Sequence, residues 1–231
     1  MDAREKPLGR KAYFKIPHLP GSRTGKADRV APEELVRRCT ALARDGEEVI
    51  VQEKLDGSCV AIAKVKGEVI ALGREGVRAS ESLNPGRQKF ARWVEGEAAM
   101  LGGLLKEGEW LVGEWLALAH STRYLLTHVP FVAFDLFSGG AQLSIDLLKQ
   151  RVGGKLPLPN LIHRGGPISV EAALALLGSH GAHGAVDPVE GAVWRLERAG
   201  EVRSMAKVVR LEKVDGVLLP ENSGLPAVWN A

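Results

Sequence analysis

Residues 48–65, EVIVQEKLDGSCVAIAKV, decide how the chain is read. VIVQEKL alternates apolar and polar side chains, Asp56-Gly57-Ser58 signals a turn, and CVAIAKV resumes as a strand. A second turn at Lys66-Gly67 leads into EVIALGRE (68–75), again strand-like. The pattern predicts an antiparallel meander of three strands, with charged residues at the first turn, where a surface loop carries function.

Working outward, APEELVRRCTALARDG (31–46) reads as a helix with Pro32 near its first turn and Gly46 at its end. Residues 86–105 read as helical, with Phe90, Trp93, Val94 and Ala98 at helical spacing. WLVGEWLAL (110–118) and PFVAFDLF (130–137) read as buried strands. SVEAALALLGSHG (169–181) reads as a helix opened by Ser169 and closed by Gly178 or Gly181, and EGAVWRLER (190–198) and VRSMAKVVR (202–210) as two more strands. Without regular strand–helix–strand alternation, the expected class is α+β with mostly antiparallel sheet. The basic, Pro/Gly-rich residues 1–30 are expected to form an arm, and 31–231 one folded domain.

Of the 231 residues, 45% are hydrophobic and 26% charged, ordinary values for a globular chain. No apolar stretch reaches the ~20 residues needed to cross a bilayer, and MDAREKPLGRKAYFK lacks the apolar core of a secretory signal, so a cytoplasmic protein with no membrane partner is expected. Cys39 and Cys59 are too few for a disulfide framework and lie in no zinc-ligand spacing; both are expected as buried reduced thiols. The net charge of +3 fits a phosphate-rich partner. The arm holds Arg4, Lys6, Arg10, Lys11, Lys15, Arg23, Lys26 and Arg29, and reads equally as a solvated arm or a nucleic-acid contact. GSRTGKA (21–27) lacks the glycine spacing and the Ser/Thr of a phosphate-binding loop and is set aside.

The chemistry concentrates in EKLDG. A lysine amine attacks a phosphoryl group only when uncharged, so a nucleophilic Lys54 needs desolvation or nearby cations to lose its proton. At the end of a strand beside a tight turn it is held rigidly, with Asp56 and Gly57 forming the turn. Alone, the string fits equally well a surface hairpin with a solvated lysine.

The order of further strings resembles the covalent lysine nucleotidyltransferase superfamily of DNA ligases, RNA ligases and mRNA capping enzymes. EKLDG resembles its nucleophile motif, Arg74 in LGREG the arginine that follows, Glu114 in LVGEWL the third motif, Phe134 and Asp135 in FVAFDLF the next, Glu190 and Gly191 in VEGAVWR the fourth, and Lys207 in MAKVVR the fifth. The resemblance implies an ATP-grasp-like adenylation domain of antiparallel sheets flanked by helices. It implies a Lys54–AMP intermediate, Glu53 at the base, Arg74 at ribose or phosphates, and Glu114 at the ribose hydroxyl. It further implies Phe134 stacked on adenine, Glu190 on Mg²⁺ (or Mn²⁺), and Lys207 at the α-phosphate.

FKIPHLPGSR, with His18 and Ser22, and the strings EKLDGSCVAIAK and GEWLALAHSTRY resemble small bacterial and phage-type ATP-dependent RNA ligases. The chain ends about 20 residues after Lys207, so the OB-fold of DNA ligases and capping enzymes is expected to be absent. The implied function is sealing of RNA 3′-hydroxyl and 5′-phosphate ends, or nicked duplex, in RNA repair. The alternatives are a minimal DNA ligase, a capping-type guanylyltransferase, or a non-catalytic module that binds nucleic-acid ends. Two departures stand out. The fifth motif's second lysine is missing, and Arg210 would fall on the face opposite Lys207. The expected lack of an OB-fold leaves the grip on nucleic acid to the basic arm, an oligomer or another protein. The oligomeric state is left open.

Overall fold

The computed structural model describes residues 5–231; Arg4 of the arm lies outside them. The chain divides into two units, each built on its own antiparallel sheet.

The first unit comprises residues 5–14, Gly57–Leu118 and Val129–Leu158. Its strands are β2 (Ser58–Val65), β3 (Glu68–Gly73), β4 (Trp110–Trp115), β5 (Phe131–Ser138) and β6 (Ala141–Gln142), in the order β3-β2-β4-β5-β6, after β1, which belongs to the second unit. The turn between β2 and β3 puts Lys66 at φ 53° and Gly67 at φ 79°, the twist-matching turn of a two-residue hairpin. One sheet face is covered by helix α2 (Pro85–Gly96). Asn84 caps it by accepting the Arg87 N–H at 3.1 Å, and Pro85 stands where a missing N–H costs nothing. Phe90 and Trp93 of α2 meet the cross-strand pair Trp115 and Phe131 with ring centroids 5.3–5.8 Å apart. Helix α3 (Ala98–Leu104) follows at once, so the single expected helix over 86–105 is two, broken at Glu97. Helix α4 (Ile145–Val152) is tied in by an Arg151–Glu109 ion pair.

The second unit comprises Lys15–Asp56, Ala119–His128 and Pro159–Ala231. Its strands are β1 (Glu47–Lys54), β7 (Leu161–Gly165), β8 (Gly191–Arg198) and β9 (Glu201–Val209), in the order β7-β1-β8-β9. Helices α1 (Glu33–Thr40) and α5 (Val170–Leu177) cover one face, and a short α6 (Pro220–Ser223) lies near the end of the chain. The core is the inward set of three strands, Val49, Val51, Ala192, Trp194, Leu196, Ala206 and Val208, closed by Cys39 of α1 and Ala173 of α5. Ser169 caps α5 by accepting the Ala172 N–H, and Gly178 ends it, as the sequence pattern predicted. The Cys39 thiol is fully buried and burial pushes its pKa up to about 12; Cys59 is half-buried.

The expected meander is corrected. β1 and β2 do not pair: β1 sits between β7 and β8, and β2 between β3 and β4. The KLDG segment is therefore a crossing from one sheet to another. Leu55 and Asp56 are buried, and a Cβ on Gly57 would fall 2.5 Å from the Trp115 carbonyl oxygen. Gly57 serves close backbone approach rather than a left-handed turn. The arm is likewise integrated: Ala12 O accepts from the Trp110 indole at 2.9 Å, and residues 17–23 run beside β9, with bonds from Leu19 N–H to Lys207 O and from Lys207 N–H to Pro17 O, both 2.9 Å.

The fixed Trp115 carbonyl leaves Gly57→Ala no room, so that variant should lose about 1–3 kcal/mol of stability, read as a lower urea midpoint at unchanged slope.

Candidate active site

In the second unit, strand register decides which side chains share a face. Lys54 pairs with Gly191 and Gly191 with Val209; Gln52 pairs with Val193 and Val193 with Lys207. Lys54 and Lys207 therefore project from the face opposite the helix-covered core. Glu190 immediately precedes β8, and its Oε2 accepts from the Lys54 ammonium at 2.5 Å. Both side chains are nearly buried, 20% and 14% exposed. Burial raises the Glu190 pKa, while Lys54 and Lys207 oppose that rise. Gly191 follows Glu190 because a Cβ there would fall 2.0 Å from the Val208 carbonyl oxygen.

Asp56 is held from the other side of the crossing. The Ser121 N–H and O–H both donate to its Oδ2, at 2.9 and 2.5 Å, and its own N–H donates to the Tyr124 hydroxyl at 3.1 Å. The segment carrying Ser121 and Tyr124 is fixed by a two-pronged Arg123–Asp187 pair at 2.9 and 2.8 Å, which holds the Asp187 carboxyl down at about 2. Behind it, the buried Lys213 donates to Thr122 Oγ1 at 2.6 Å. Burial pulls the Lys213 pKa down while Asp56 and Glu190 resist. Ser121, Tyr124 and Lys213 were not singled out in the sequence. The only signal was a polar HSTRY following an apolar strand.

Glu53 lies elsewhere. It belongs to the core face, opposite Lys54, where Ala182 N–H donates to its Oε2 at 3.1 Å and Gly181 lies so close that any Cβ there would collide with it. Its Oε1 is buried without a hydrogen-bond partner, and burial pushes its pKa up to about 7. Arg210 also turns to that side, giving its guanidinium to the Gly178 carbonyl at 2.5 Å.

His18 sits beside Lys207, bridged to it backbone to backbone, and is 2% exposed. Its Nδ1 lies 2.6 Å from Ser22 Oγ, which accepts the Val209 N–H at 2.9 Å, and its Nε2 lies 3.5 Å from Asp28 Oδ2. Burial, then Lys207, lower the His18 pKa, while Asp28 opposes that fall.

In the first unit, Cys59 pairs with Glu114 and Glu114 with Val132, a row on the face away from α2. Arg74 follows Gly73, which pairs with Val60, and so stands at the same end of the sheet. Its carbonyl accepts from the Ala12 and Tyr13 N–H groups at 3.1 Å, while its Nε is buried with no protein partner, a donor that an anionic ligand would satisfy. Phe134 is the extra residue of a β-bulge: Gly113 pairs with Ala133 but Val112 with Asp135. The half-buried Phe134 ring meets Tyr13 edge-on at 5.3 Å. Asp135 is fully buried, accepting from the Tyr13 hydroxyl and from Gln142 Nε2 at 2.7 Å, so it anchors the arm to the sheet.

The described residues contain no cluster of three or more His, Cys, Asp or Glu side chains able to cage a metal. Glu190 and Asp56 offer carboxylates on one side, which suits Mg²⁺ or Mn²⁺, ions that complete their shells with phosphate and water. No helix among these residues is long and apolar enough to cross a membrane.

Residues 47–209 match the RNA ligase family. No curated protein matches the chain. Among solved structures, the fold is similar to a Naegleria gruberi RNA ligase with PPi, at TM-score 0.56 and 17% identity over 84% of this chain. Variants of that enzyme with AMP and Mn and with ATP and Mn both give TM-score 0.51 at 14% identity. The chain spans 59% of the length of these Naegleria chains.

Protonated Glu53 is neutral in both folded and unfolded chains below pH ~4.5. Between there and about 7 the unfolded chain ionises first, so stability falls as pH rises. Glu53→Gln should therefore gain up to ~3 kcal/mol over the parent protein at pH 8 and nothing near pH 4, measured by urea unfolding across that range.

Proposed function

The chain belongs to the RNA ligase family, and on that premise we propose that it is an ATP-dependent ligase that joins RNA ends through AMP carried on Lys54. The observation that carries the reading is the Lys54–Glu190 contact at 2.5 Å, with Lys207 on the same sheet face. A lysine held rigidly at a strand end in a mostly desolvated setting, with a second lysine on the same sheet face, suits a phosphoramidate-forming nucleophile, and a divalent ion drawing Glu190 away would further favour its neutral amine.

In the first step the Lys54 ammonium releases one proton to solvent, and the freed Nζ lone pair attacks the α-phosphorus of ATP. An N–P bond forms, the P–O bond to pyrophosphate breaks, and the attacking nitrogen loses its second proton to solvent as pyrophosphate leaves. Lys207 stabilises charge on the α-phosphate as pyrophosphate departs. Asp56, clamped by Ser121 and Tyr124, fixes the segment directly after the nucleophile, so Lys54 meets the phosphorus in one orientation. Arg74, Glu114 and Phe134 take phosphate or ribose, the ribose hydroxyl and the adenine ring respectively. Glu190, with Asp56 beside it, would hold Mg²⁺ or Mn²⁺; such an ion supplies positive charge against the phosphates and competes with the Lys54 ammonium for the carboxylate. The Naegleria enzyme captured with AMP, ATP, PPi and Mn supports this choice of nucleotide and divalent ion.

In the second step AMP passes to an RNA 5′-phosphate. In the third, an RNA 3′-hydroxyl attacks that activated phosphate, the phosphodiester forms and AMP leaves. Sealing of broken RNA in repair is the proposed use.

Incubation with Mg²⁺ and ATP labelled at the α-phosphate should leave label on the denatured chain, mapping to Lys54. Lys54→Ala should abolish it, and Lys207→Ala should slow it ~10²–10³-fold. Absence of label with ATP or GTP, before and after pyrophosphate treatment, would move the reading to a non-catalytic module that binds RNA ends. Label from GTP alone would indicate a capping-type guanylyltransferase.

A further inference from the structure

A groove of about 470 Å³ opens in the first unit, apart from the residues assigned to nucleotide. Its floor is aromatic. Trp110 and Phe137 stack in parallel with centroids 4.8 Å apart, and Tyr13 meets Phe137 edge-on at 6.1 Å. Phe14 stacks on Tyr13 at 4.5 Å yet remains 43% exposed, an aromatic ring offered to solvent by a well-anchored segment. The anchors are the Trp110–Ala12 and Tyr13–Asp135 hydrogen bonds.

The rim is cationic. Arg10 and Lys11 line the groove, and no acidic side chain lines it among the described residues. Lys11 does reach Glu75 at 2.5 Å, but both side chains are more than half exposed, so solvent screens that pair. Trp110, Phe137 and Asp135 share the sheet face of Glu114, because Trp110 pairs with Phe137 and Val112 with Asp135. Trp110 lies four residues from Glu114 along β4, roughly 13 Å in a strand. The Tyr13 ring contacts both Phe137 and Phe134.

An aromatic floor, one exposed ring and a positive rim form the combination that takes single-stranded nucleic acid, with a base on the ring and its phosphate on the cations. We infer that this groove holds an unpaired base of the RNA strand, near the end being joined, by stacking on Phe14 with Arg10 at the adjoining phosphate. The inference rests on the proposed ligase function, and it places part of the RNA grip in the arm rather than in a separate domain.

The test uses the full chain and a 5′-phosphorylated single-stranded oligoribonucleotide bearing a fluorophore and one 4-thiouridine near its 5′ end. Phe14→Leu keeps apolar bulk but removes the aromatic face, and should weaken binding about tenfold; Phe14→Trp should restore it. Arg10→Ala should reduce the slope of log affinity against log salt by about 0.7, the loss of one phosphate contact. Photocrosslinks should map to the arm, at or beside Phe14. All three variants should form lysyl-AMP at the parent rate, which shows that they fold. Unchanged affinity in Phe14→Leu and Arg10→Ala, or crosslinks confined to other segments, in a protein that does form lysyl-AMP, would overturn the groove while leaving the ligase reading intact. A parent protein that binds this RNA but forms no lysyl-AMP would count against the ligase reading alone.

Discussion

A lysine ammonium and a glutamate carboxylate meet at 2.5 Å where β1 ends and β8 begins, and much of the second unit serves to keep them there. Two mostly buried charges cost several kcal/mol to desolvate, and only close pairing offsets that. The pairing demands register. Lys54 must stand opposite Gly191, and Gly191 must have no side chain, because β9 approaches it through the Val208 carbonyl. The residue before that glycine then falls beside the lysine. The edge of β9 is covered by residues 17–23, which take up the Lys207 and Val209 backbone groups that would otherwise face outward.

The same requirement explains the polar segment around Asp56. A strand that leaves one sheet for another exposes backbone and a carboxylate at the crossing. Ser121 and Tyr124 supply partners for them, and the Arg123–Asp187 pair fixes the segment that carries both. Glu53, one residue before Lys54, faces the other way and is poorly served, with one oxygen unsatisfied and its pKa pushed up to about 7. The cost sits on the face opposite Lys54, where the carboxylate accepts from the Ala182 N–H and lies hard against Gly181.

What the sequence made legible follows from period and from local signals. β1 to β5, β8 and β9 appear where alternation or apolar runs placed them, and α5 has the cap and terminator expected of Ser169 and Gly178. Partner choice was not legible, because alternation marks a strand without saying what lies beside it; hence the false meander. β7, with the pattern LIHRG, has too little apolar contrast to stand out, and α4 hides behind the short β6. In the site, Lys54, Glu190 and Lys207 were legible through the order of their strings, which resembles that of the nucleotidyltransferase superfamily, and not through local pattern alone. Ser121 and Lys213 could not, since they reach Asp56 across 65 residues and Thr122 across 91.

The missing second lysine of the fifth motif can now be weighed against the charges present. Val209 occupies the position on the Lys54 face, two residues after Lys207, and Arg210 is committed to Gly178 on the opposite face. Positive charge enters instead from Lys213, which is buried, bonded to Thr122 and within electrostatic reach of Asp56 and Glu190. Lys54 and Lys207 act on Glu190, and Lys213 on Asp56 and Glu190, while Asp187 and Glu212 also act on Lys213. Being buried, Lys213 is screened less by salt than a surface lysine. On the proposed ligase reading, Lys213 supplies from outside β9 part of the positive charge that a second lysine two residues after Lys207 would bring, provided the Ser121–Thr122 segment holds it in place.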